Sequence, residues 1–226
     1  EDPIEMVEPA FNQMQVQHGI GLDFAAGVRT LLRQDPDIIM VGEIRDLETA
    51  EMAIQAALTG HLVLSTLHTN DAPSAITRLL DIGVPPYLLR STGLGVMAQR
   101  LVRTLCPHCR EPVPIDAETW TMLITPWKAE RPKQVYTAKG CLECRMTGYL
   151  GRVGIYEIML MTPEQRRYVT SETDLAEIRA QAQRDGMKPL RIGGALKVAQ
   201  GVTTIEEVLK AAPPVVAPSR KHRPAE

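Results

Sequence analysis

Four cysteines in two closely spaced pairs are the residues of this sequence whose spacing most directly predicts chemistry. Cys106 and Cys109 lie in CPHC, and Cys141 and Cys144 lie in CLEC. Each CxxC pair forms a small turn that aims two sulfurs at one point, so two pairs can present four thiolates to Zn²⁺. Four thiolate ligands leave no open coordination position, which favours a structural metal over a catalytic one. A redox CxxC, an iron–sulfur cluster and a site without metal are the alternatives.

Two polar residues follow short apolar runs that have the length and branching of strands. The run 38–41 leads through Gly42 to Glu43, and the run 62–66 leads to His68. A carboxylate held at a strand end can bind Mg²⁺ or direct an attacking water, and a histidine there can contact a terminal phosphate. A solvated carboxylate and an ordinary loop histidine are the alternatives. Because the carboxyl ends of parallel strands form the ligand edge of a sheet, we predict that both residues belong to one site.

Three further charged residues are candidates for the same site. Glu1 begins the acidic segment EDPIE, which is expected where another strand would end, although acidic residues around a proline also form turns. Arg29 and Arg33 are one turn apart on a predicted helix and could reach phosphates as a pair. Solvated arginines on an exposed helix face are the alternative for this pair.

The residues around these candidates predict strands and helices in alternation. An amphipathic helix is expected over 23–33, with Asp23 as its cap. The runs 38–41 and 62–66 have the composition of strands buried on both faces, and a helix that begins after Asp46 joins them. Strand, helix and strand with short links indicate a right-handed parallel crossover, and therefore an α/β fold.

The remainder of the chain predicts further helices and one weakly patterned insert. Helical patterns are expected over 71–83 and 87–105, whereas 110–140, between the CxxC pairs, is proline-rich and weakly periodic. Residues 213–226 combine proline with basic residues and lack a burial pattern, which predicts a disordered tail. Capping sequences predict the starts of three C-terminal helices, at Thr162, Asp174 and Thr204.

Composition excludes several classes of protein. The chain has 226 residues, 44% of them hydrophobic and 23% charged, which suits one core with an appendage. A net charge of −2 argues against direct nucleic-acid binding, because phosphate backbones require a local excess of Lys and Arg. No apolar run approaches the roughly 20 residues of a membrane span. Four cysteines in tight pairs suit a reducing compartment, so we expect a cytoplasmic protein.

A phosphate-binding loop is missing from the sequence. No GxxxxGK[ST] pattern occurs, and the first residue is Glu1 rather than Met, so we expect a fragment. Without the backbone amides and lysine of such a loop, the fragment alone is expected to bind ATP poorly and to hydrolyse none.

The ordered set of motifs resembles the secretion ATPase superfamily, and in particular the type II secretion and type IV pilus assembly ATPases. The resemblance covers residues 1 to about 212. The segment EDPIE resembles the Asp box, RQDPDIIMVGEIRD the atypical Walker B element, GHLVLSTLHTNDAPSAITRLLDIGV the His box, and CPHC…GCLECRMTGYLGRVGIYE the tetracysteine element. The resemblance implies an α/β fold in four parts. These are a partial RecA-like P-loop NTPase core with a parallel sheet at 1–104, a tetracysteine zinc insert at 105–150, a C-terminal helical subdomain at 151–212 and the tail at 213–226.

The resemblance also implies roles for the candidate residues. Glu43 matches the Walker B glutamate, with a water-activating or magnesium-linked role, Glu1 the Asp-box glutamate, and His68 the His-box histidine, while the four cysteines match the zinc ligands. One departure is Ala26, which stands where the family's FARxLR segment has its first arginine, although Arg29 is retained. ATP, Mg²⁺ and Zn²⁺ are the implied cofactors.

The implied activity is an ATP-hydrolysing motor that powers type II protein secretion or type IV pilus assembly. The family works as a cytoplasmic homo-hexamer that docks peripherally on an inner-membrane platform protein, with no direct contact to nucleic acid expected here. The tetracysteine insert favours assembly or secretion over retraction. The alternatives are a zinc-ribbon, nucleic-acid-linked RecA-like ATPase and a non-hydrolysing scaffold remnant. The residues do not distinguish a pilus from a pseudopilus or a DNA-uptake fibre.

Overall fold

The computed structural model describes residues 1–213, and they divide into two compact units. The first unit contains Glu1–Val96 and Ile158–Met187, and the second contains Met97–Glu157 and the chain from Lys188. The predicted four parts, 1–104, 105–150, 151–212 and 213–226, were defined by motifs rather than by contacts. That division stays a prediction. Of the predicted tail at 213–226, all but Pro213 lies outside the described residues.

The first 92 residues contain a 3₁₀ helix, four α-helices and two strands. In chain order they are the 3₁₀ helix His18–Ile20, α1 Phe24–Leu31, β1 Ile38–Val41, α2 Leu47–Leu58, β2 Leu62–Ser65, α3 Ala72–Ile82 and α4 Pro86–Thr92. The chain continues with β3 Gly95–Leu105, β4 Glu111–Val113, α5 Ala117–Ile124, β5 Val135–Thr137, β6 Tyr149–Leu160, α6 Pro163–Arg166, α7 Leu175–Arg184, α8 Leu190–Ala199 and α9 Ile205–Ala211.

Strands β1 and β2 form the parallel pair that the sequence predicts. Ile38 pairs with Leu62 and Val41 pairs with Ser65, so both strands end at the same edge. Helix α2 connects them, which confirms a mixed α/β fold with a parallel sheet. Helices α1 and α2 pack against one face of the pair, in a cluster of buried residues formed by Val28, Ile39, Val41 and Ala56.

The opposite face of this sheet is exposed, so the prediction that both strands are buried on both faces is wrong. Its side chains are between 42% and 60% exposed, and they belong to Ile38, Met40, Leu62 and Leu64. Parallel strands are normally covered on both sides. Here the helices of the cluster cover only the face that carries Ile39 and Val41.

Aspartates start the two helices, α1 and α2, that cover one face of this sheet. The side chain of Asp23 accepts a hydrogen bond of 2.8 Å from the amide of Ala26, which confirms the predicted cap of α1. Asp46 accepts one of 2.8 Å from the amide of Thr49 at the start of α2. Such N-caps satisfy amides that have no partner within the helix, so each helix begins at a defined residue close to a strand end.

The helix predicted over 87–105 is also wrong, because α4 ends at Thr92 and β3 begins at Gly95. Ala98 and Val102 are both buried, and their separation of four residues suits a helix turn and an alternating strand equally. Pairing with β6 in a two-stranded sheet selects the strand.

The C-terminal helices largely follow the predicted starts. Thr162, Asp174 and Thr204 each accept a hydrogen bond from a first-turn amide of α6, α7 and α9. Helix α8 was not predicted, because it follows Pro189 and has no side-chain cap. Among the described residues, no helix is long and apolar enough to cross a membrane.

The second unit has a core that the insert shares with α8 and α9. Trp120 and Leu123 of α5 are buried together with Ile192 and Val198 of α8 and Val208 of α9. Strands β4 and β5 pair antiparallel beside them. The weakly periodic insert is therefore packed against helices that begin 50 residues after its end.

Candidate functional site

Glu43 lies immediately beyond the end of β1, after a glycine that allows close packing. A methyl group added at Gly42 would lie 3.2 Å from the ring of Phe24 and 3.6 Å from the Cα of Glu1. The structure thus places Glu1 beside the end of β1. Its backbone carbonyl accepts a hydrogen bond of 2.9 Å from the amide of Val16, which holds the segment there.

His68 and Glu43 are brought together as the sequence predicts. The Nε2 atom of His68 lies 3.0 Å from Oε2 of Glu43. The Glu43 side chain is 13% exposed and that of His68 is 86% exposed, so the histidine forms the solvent side of the pair. The two strand ends are joined by hydrogen bonds from the hydroxyl of Thr66 to the carbonyl of Gly42, 2.6 Å, and from the amide of Ile44 to the carbonyl of Thr66, 3.1 Å.

Arg45 is a third member of the site that the sequence reasoning missed. Its Nη2 atom lies 2.5 Å from Oε1 of Glu43, so both carboxylate oxygens have a nitrogen partner. The hydrogen bond from Arg45 lowers the pKa of Glu43, and His68 adds to that effect, whereas partial burial opposes it. Glu43 is consequently a carboxylate at neutral pH. The sequence signal was a cation two residues after the glutamate, in the segment GEIRD.

The predicted phosphate-binding arginines, Arg29 and Arg33, form no ion pair with Glu43. Nη2 of Arg29 lies 3.7 Å from Oε1 of Glu48, and both side chains are more than half exposed. Arg33 is exposed beyond the last residue of α1. The ion pairs of the described residues place Arg45, rather than Arg29 or Arg33, on Glu43.

The four cysteines converge in the second unit. Their Sγ atoms all lie within 4.8 Å of one another. The distances are 3.9 Å for Cys106 and Cys141, 3.8 Å for Cys109 and Cys144, and 3.7 Å for Cys141 and Cys144. Four sulfurs at about 2.3 Å from a tetrahedral zinc ion would be separated by about 3.8 Å. The cluster therefore has the size that such an ion requires.

Backbone amides favour a thiolate within the cluster. Sγ of Cys144 accepts hydrogen bonds from the amides of Cys141, 3.2 Å, and Gly148, 3.1 Å. Burial acts to raise the pKa of Cys144, but these two amides, together with the thiols of Cys141 and Cys109, outweigh it and lower the pKa to about 6. A methyl group at Gly148 would lie 2.5 Å from the Cβ of Ala138, and its φ is +76°, so only glycine brings this amide to the sulfur.

The cluster is connected to the segment between α8 and α9. The amide of Leu105 donates to the carbonyl of Val202 over 2.8 Å, one residue before the first cysteine. The guanidinium of Arg110 donates to the carbonyl of Gly201 over 2.6 Å and lies over the ring of Tyr136. The residues that flank the first CxxC pair are thus attached to a segment that lies more than 90 residues later in the chain.

Comparison with known proteins identifies a family. The model of the family described as T2SSE, type II/IV secretion system protein, matches residues 1–210. The type IV pilus assembly ATPase TfpB of Acinetobacter baylyi is 59% identical over 94% of this chain and 36% of its own length. The type II secretion system protein E of Pseudomonas aeruginosa is 51% identical over 93% of this chain and 41% of its own length.

A solved structure has a similar fold. The crystal structure of the pilus retraction motor PilT with bound ADP superposes with a TM-score of 0.62 and 29% identity. The superposition covers 94% of this chain and 51% of that one. The chain therefore spans about half of this structural neighbour and about two fifths of the two curated relatives.

Proposed function

Because this chain belongs to the type II/IV secretion system protein family, we propose that it is part of an ATP-hydrolysing motor for type IV pilus assembly or type II protein secretion. The two relatives named above are such proteins, and this chain covers 36% and 41% of them. The activity is therefore proposed for a full-length protein that contains this chain. The alternatives of a nucleic-acid-linked ATPase and a non-hydrolysing scaffold are not favoured by these relatives.

The observation that carries the proposal is the contact between Glu43 and His68. Their side chains meet, 3.0 Å apart, where two adjacent parallel strands end, and this edge is where α/β sheets bind ligands. In the proposed reaction, Glu43 directs the water that attacks the terminal phosphate of ATP. His68, on the exposed side of the pair, contacts that phosphate.

The charge environment of Glu43 favours orientation of water over strong base catalysis. A general base works best when its pKa lies near the working pH. The hydrogen bond from Arg45 lowers the pKa of Glu43 and so moves it further from neutral pH. An ionised Glu43 can instead hold a water by a charge-assisted hydrogen bond or bind Mg²⁺, which would neutralise phosphate charge.

The other parts of the ATP site are proposed on the family resemblance. A RecA-like core would supply its phosphate-binding loop from outside this chain, since the sequence has no GxxxxGK[ST] pattern. Glu1 lies at the correct edge of the sheet to take part. Arg29 and Arg33 would contact phosphates only after leaving their present environment on α1 and, for Arg29, its partner Glu48.

The cysteine cluster is proposed to hold one structural zinc ion. Cys106, Cys109, Cys141 and Cys144 are spaced for tetrahedral coordination, and two backbone amides already support the charge of one sulfur. When bound, the ion would neutralise the thiolates and replace a hydrophobic core for the turns that carry them.

The proposed assembly is a homo-hexamer that works on the cytoplasmic side of the inner membrane. It would dock peripherally on a platform protein of the secretion or pilus machinery, without direct contact to nucleic acid. The names of the relatives support a role in such machinery.

The proposal is tested by Glu43→Gln in the full-length protein. The amide keeps the shape of the side chain but removes its charge, so ATP should still bind while turnover falls by about 10²-fold or more. ATP binding and phosphate release are measured on the same preparation. Glu51→Gln, an exposed glutamate of α2, is the control and should retain wild-type turnover. Near-normal turnover of Glu43→Gln would contradict the proposal.

A further inference from the structure

An ion pair between α7 and the start of α3 stands apart from the surface ion pairs of the first unit. Nη2 of Arg179 lies 2.6 Å from Oδ2 of Asp71, and the two side chains are only 29% and 23% exposed. The pair formed by Arg29 and Glu48 is longer, at 3.7 Å, and its side chains are 57% and 66% exposed. Partial removal from water makes the loss of one partner costly, because the other charge is left without compensation.

Asp71 uses its two carboxylate oxygens for different purposes. Oδ1 accepts a hydrogen bond of 2.9 Å from the amide of Ser74 and one from its hydroxyl, which caps α3. Oδ2 faces Arg179. Partial burial acts to raise the pKa of Asp71. The hydrogen bonds from Ser74 and Arg179 and the positive charge of Arg179 outweigh burial, so the pKa is lowered. The carboxylate thus joins the N-terminus of α3 to α7.

The loop that carries His68 is held at both ends. At its beginning, the hydroxyl and carbonyl of Thr66 are hydrogen-bonded to the backbone on either side of Glu43. At its end, the hydroxyl of Thr69 donates to the backbone carbonyl of Asp71 over 3.2 Å. His68 lies between these two attachments, and its ring reaches Glu43 from there. The position of its ring therefore depends on where Asp71 is fixed.

Helix α7 provides a firm support for this attachment. Ile178, next to Arg179, is fully buried, and its carbonyl accepts a hydrogen bond of 3.2 Å from the buried side-chain amide of Gln165 in α6. Ala182, one turn later, is 1% exposed. The guanidinium of Arg179 consequently projects from a helix whose other face is packed, and a shift of that helix would be transmitted to Asp71.

We propose that Arg179 is a positioning residue that holds the His68 loop through Asp71, so that the position of α7 sets the contact between His68 and Glu43. The inference rests on the hydrolytic function proposed for those two residues. Within residues 1–213, Arg179 is hydrogen-bonded to Asp71 and not to His68 or Glu43, so it would act through Asp71. Helix α7 is thereby a route by which a conformational change elsewhere in the first unit reaches the hydrolytic site.

The test compares Arg179→Gln with Arg184→Gln in the full-length protein. Arg184 lies on the same helix and bonds to Gln181 and Tyr168, away from the His68 loop. Arg179→Gln should lower kcat by about 10-fold or more and change KM by less than about threefold, because a misplaced group impairs chemistry more than binding. Hydrogen exchange without nucleotide should become faster over residues 66–71. Arg184→Gln should change neither quantity.

Two further variants separate positioning from a loss of packing. Arg179→Lys keeps a charge for the single contact with Oδ2 and should restore most of kcat. Asp71→Asn keeps the cap of α3, since asparagine is an equally good N-cap, and should reproduce the loss seen in Arg179→Gln. The double variant Asp71→Asn with Arg179→Gln should lose little more kcat than either single variant, because both substitutions remove the same interaction.

Either readout at its wild-type value in Arg179→Gln overturns the inference. So does faster exchange throughout α3 and α7, which a loss of helix packing alone would produce. The exchange measurement needs no ATP turnover. A wild-type protein that does not hydrolyse ATP would therefore contradict the proposed function separately from the coupling between Arg179 and the loop.

Discussion

The edge of the β1–β2 sheet and the cysteine cluster hold their polar groups by different means. At the sheet edge, Glu43 and His68 meet because two parallel strands end in register and hydrogen bonds join the ends. In the second unit, four sulfurs meet in short turns next to a core that the insert shares with α8 and α9. One site follows from regular secondary structure, and the other from long-range packing around a candidate metal.

This difference separates the two proposed roles. Glu43 lies against an exposed partner, since the His68 side chain is 86% exposed. The cysteines are less accessible, because Cys106 and Cys144 are buried and Cys109 and Cys141 are half-buried. A group that must meet a substrate benefits from the first arrangement, whereas a group that fixes a fold benefits from the second. Changes at one site should thus leave the other largely intact.

Cys141→Ser should give the largest structural effect that distinguishes the two regions. Removing one of four thiolates should abolish binding of one zinc per chain and loosen residues 106–150 together with α8 and α9, which share their core. The strands that carry Glu43 and His68 should stay folded. Zinc content by elemental analysis and regional hydrogen exchange check this. Leu142→Ser, in the same turn with a side chain 88% exposed, is the matched control and should keep the metal.

The comparison would fail for the cluster if protein purified without chelator contained no zinc. It would also fail if Cys141→Ser and Leu142→Ser had the same exchange over residues 106–150. The cysteines would then be packing or redox residues, and the shared core alone would stabilise the insert.

His68→Ala should lower turnover by about 10-fold or more with little change in melting temperature, because the exposed ring makes few packing contacts. His61→Ala is the contrasting variant. Nδ1 of His61 bonds to the carbonyl of Ala56 at the end of α2, so its loss should lower the melting temperature and leave turnover per folded molecule unchanged. Equal melting shifts with unchanged turnover in both variants would make His68 a structural residue.

Arg45→Met should produce a smaller effect that appears in the pH dependence. The hydrogen bond from Arg45 lowers the pKa of Glu43, so its removal should raise that pKa. The ionised carboxylate is then lost at a higher pH as the solution is acidified, and the acidic limb of the kcat/KM profile should move to higher pH. Arg78→Met, at an exposed position of α3, should leave the limb in place. A limb that stays fixed in Arg45→Met would show that Glu43 does not control the profile.

Local patterns predicted much of the first unit. The cap at Asp23, the start of α2 after Asp46, the two strands and the position of Glu43 and His68 at their ends all depend on residues close in sequence. The exposed face of β1 and β2 could not be predicted. Apolar residues on a strand show that a face could be buried, but they do not show whether another part of the chain covers it. Arg45 was missed because its side chain reaches Glu43 only through the course of the backbone after Gly42.

Long-range contacts explain what was missed in the second unit. A helix was predicted where β3 lies, because the spacing of its buried residues fits the helical and the strand period equally. Only the pairing with β6, which is distant in sequence, selects the strand. Helix α9 begins after Thr204 as predicted, but the carboxylate of Glu207 in its first turn accepts hydrogen bonds from the amide and guanidinium of Arg103 on β3, a contact with no local signal. The shared core of Trp120 with α8 and α9 had no local signal for the same reason.

A double-mutant cycle on ATP turnover tests the central claim most directly, using Glu43→Gln, His68→Ala and both together in the full-length protein. The contact of 3.0 Å predicts that the two residues act as one unit. The double variant should therefore lose no more than about threefold beyond Glu43→Gln alone, since the effects of coupled residues do not add. Losses that multiply would mean that the residues act independently. Wild-type turnover in Glu43→Gln would remove the hydrolytic site from this edge of the sheet.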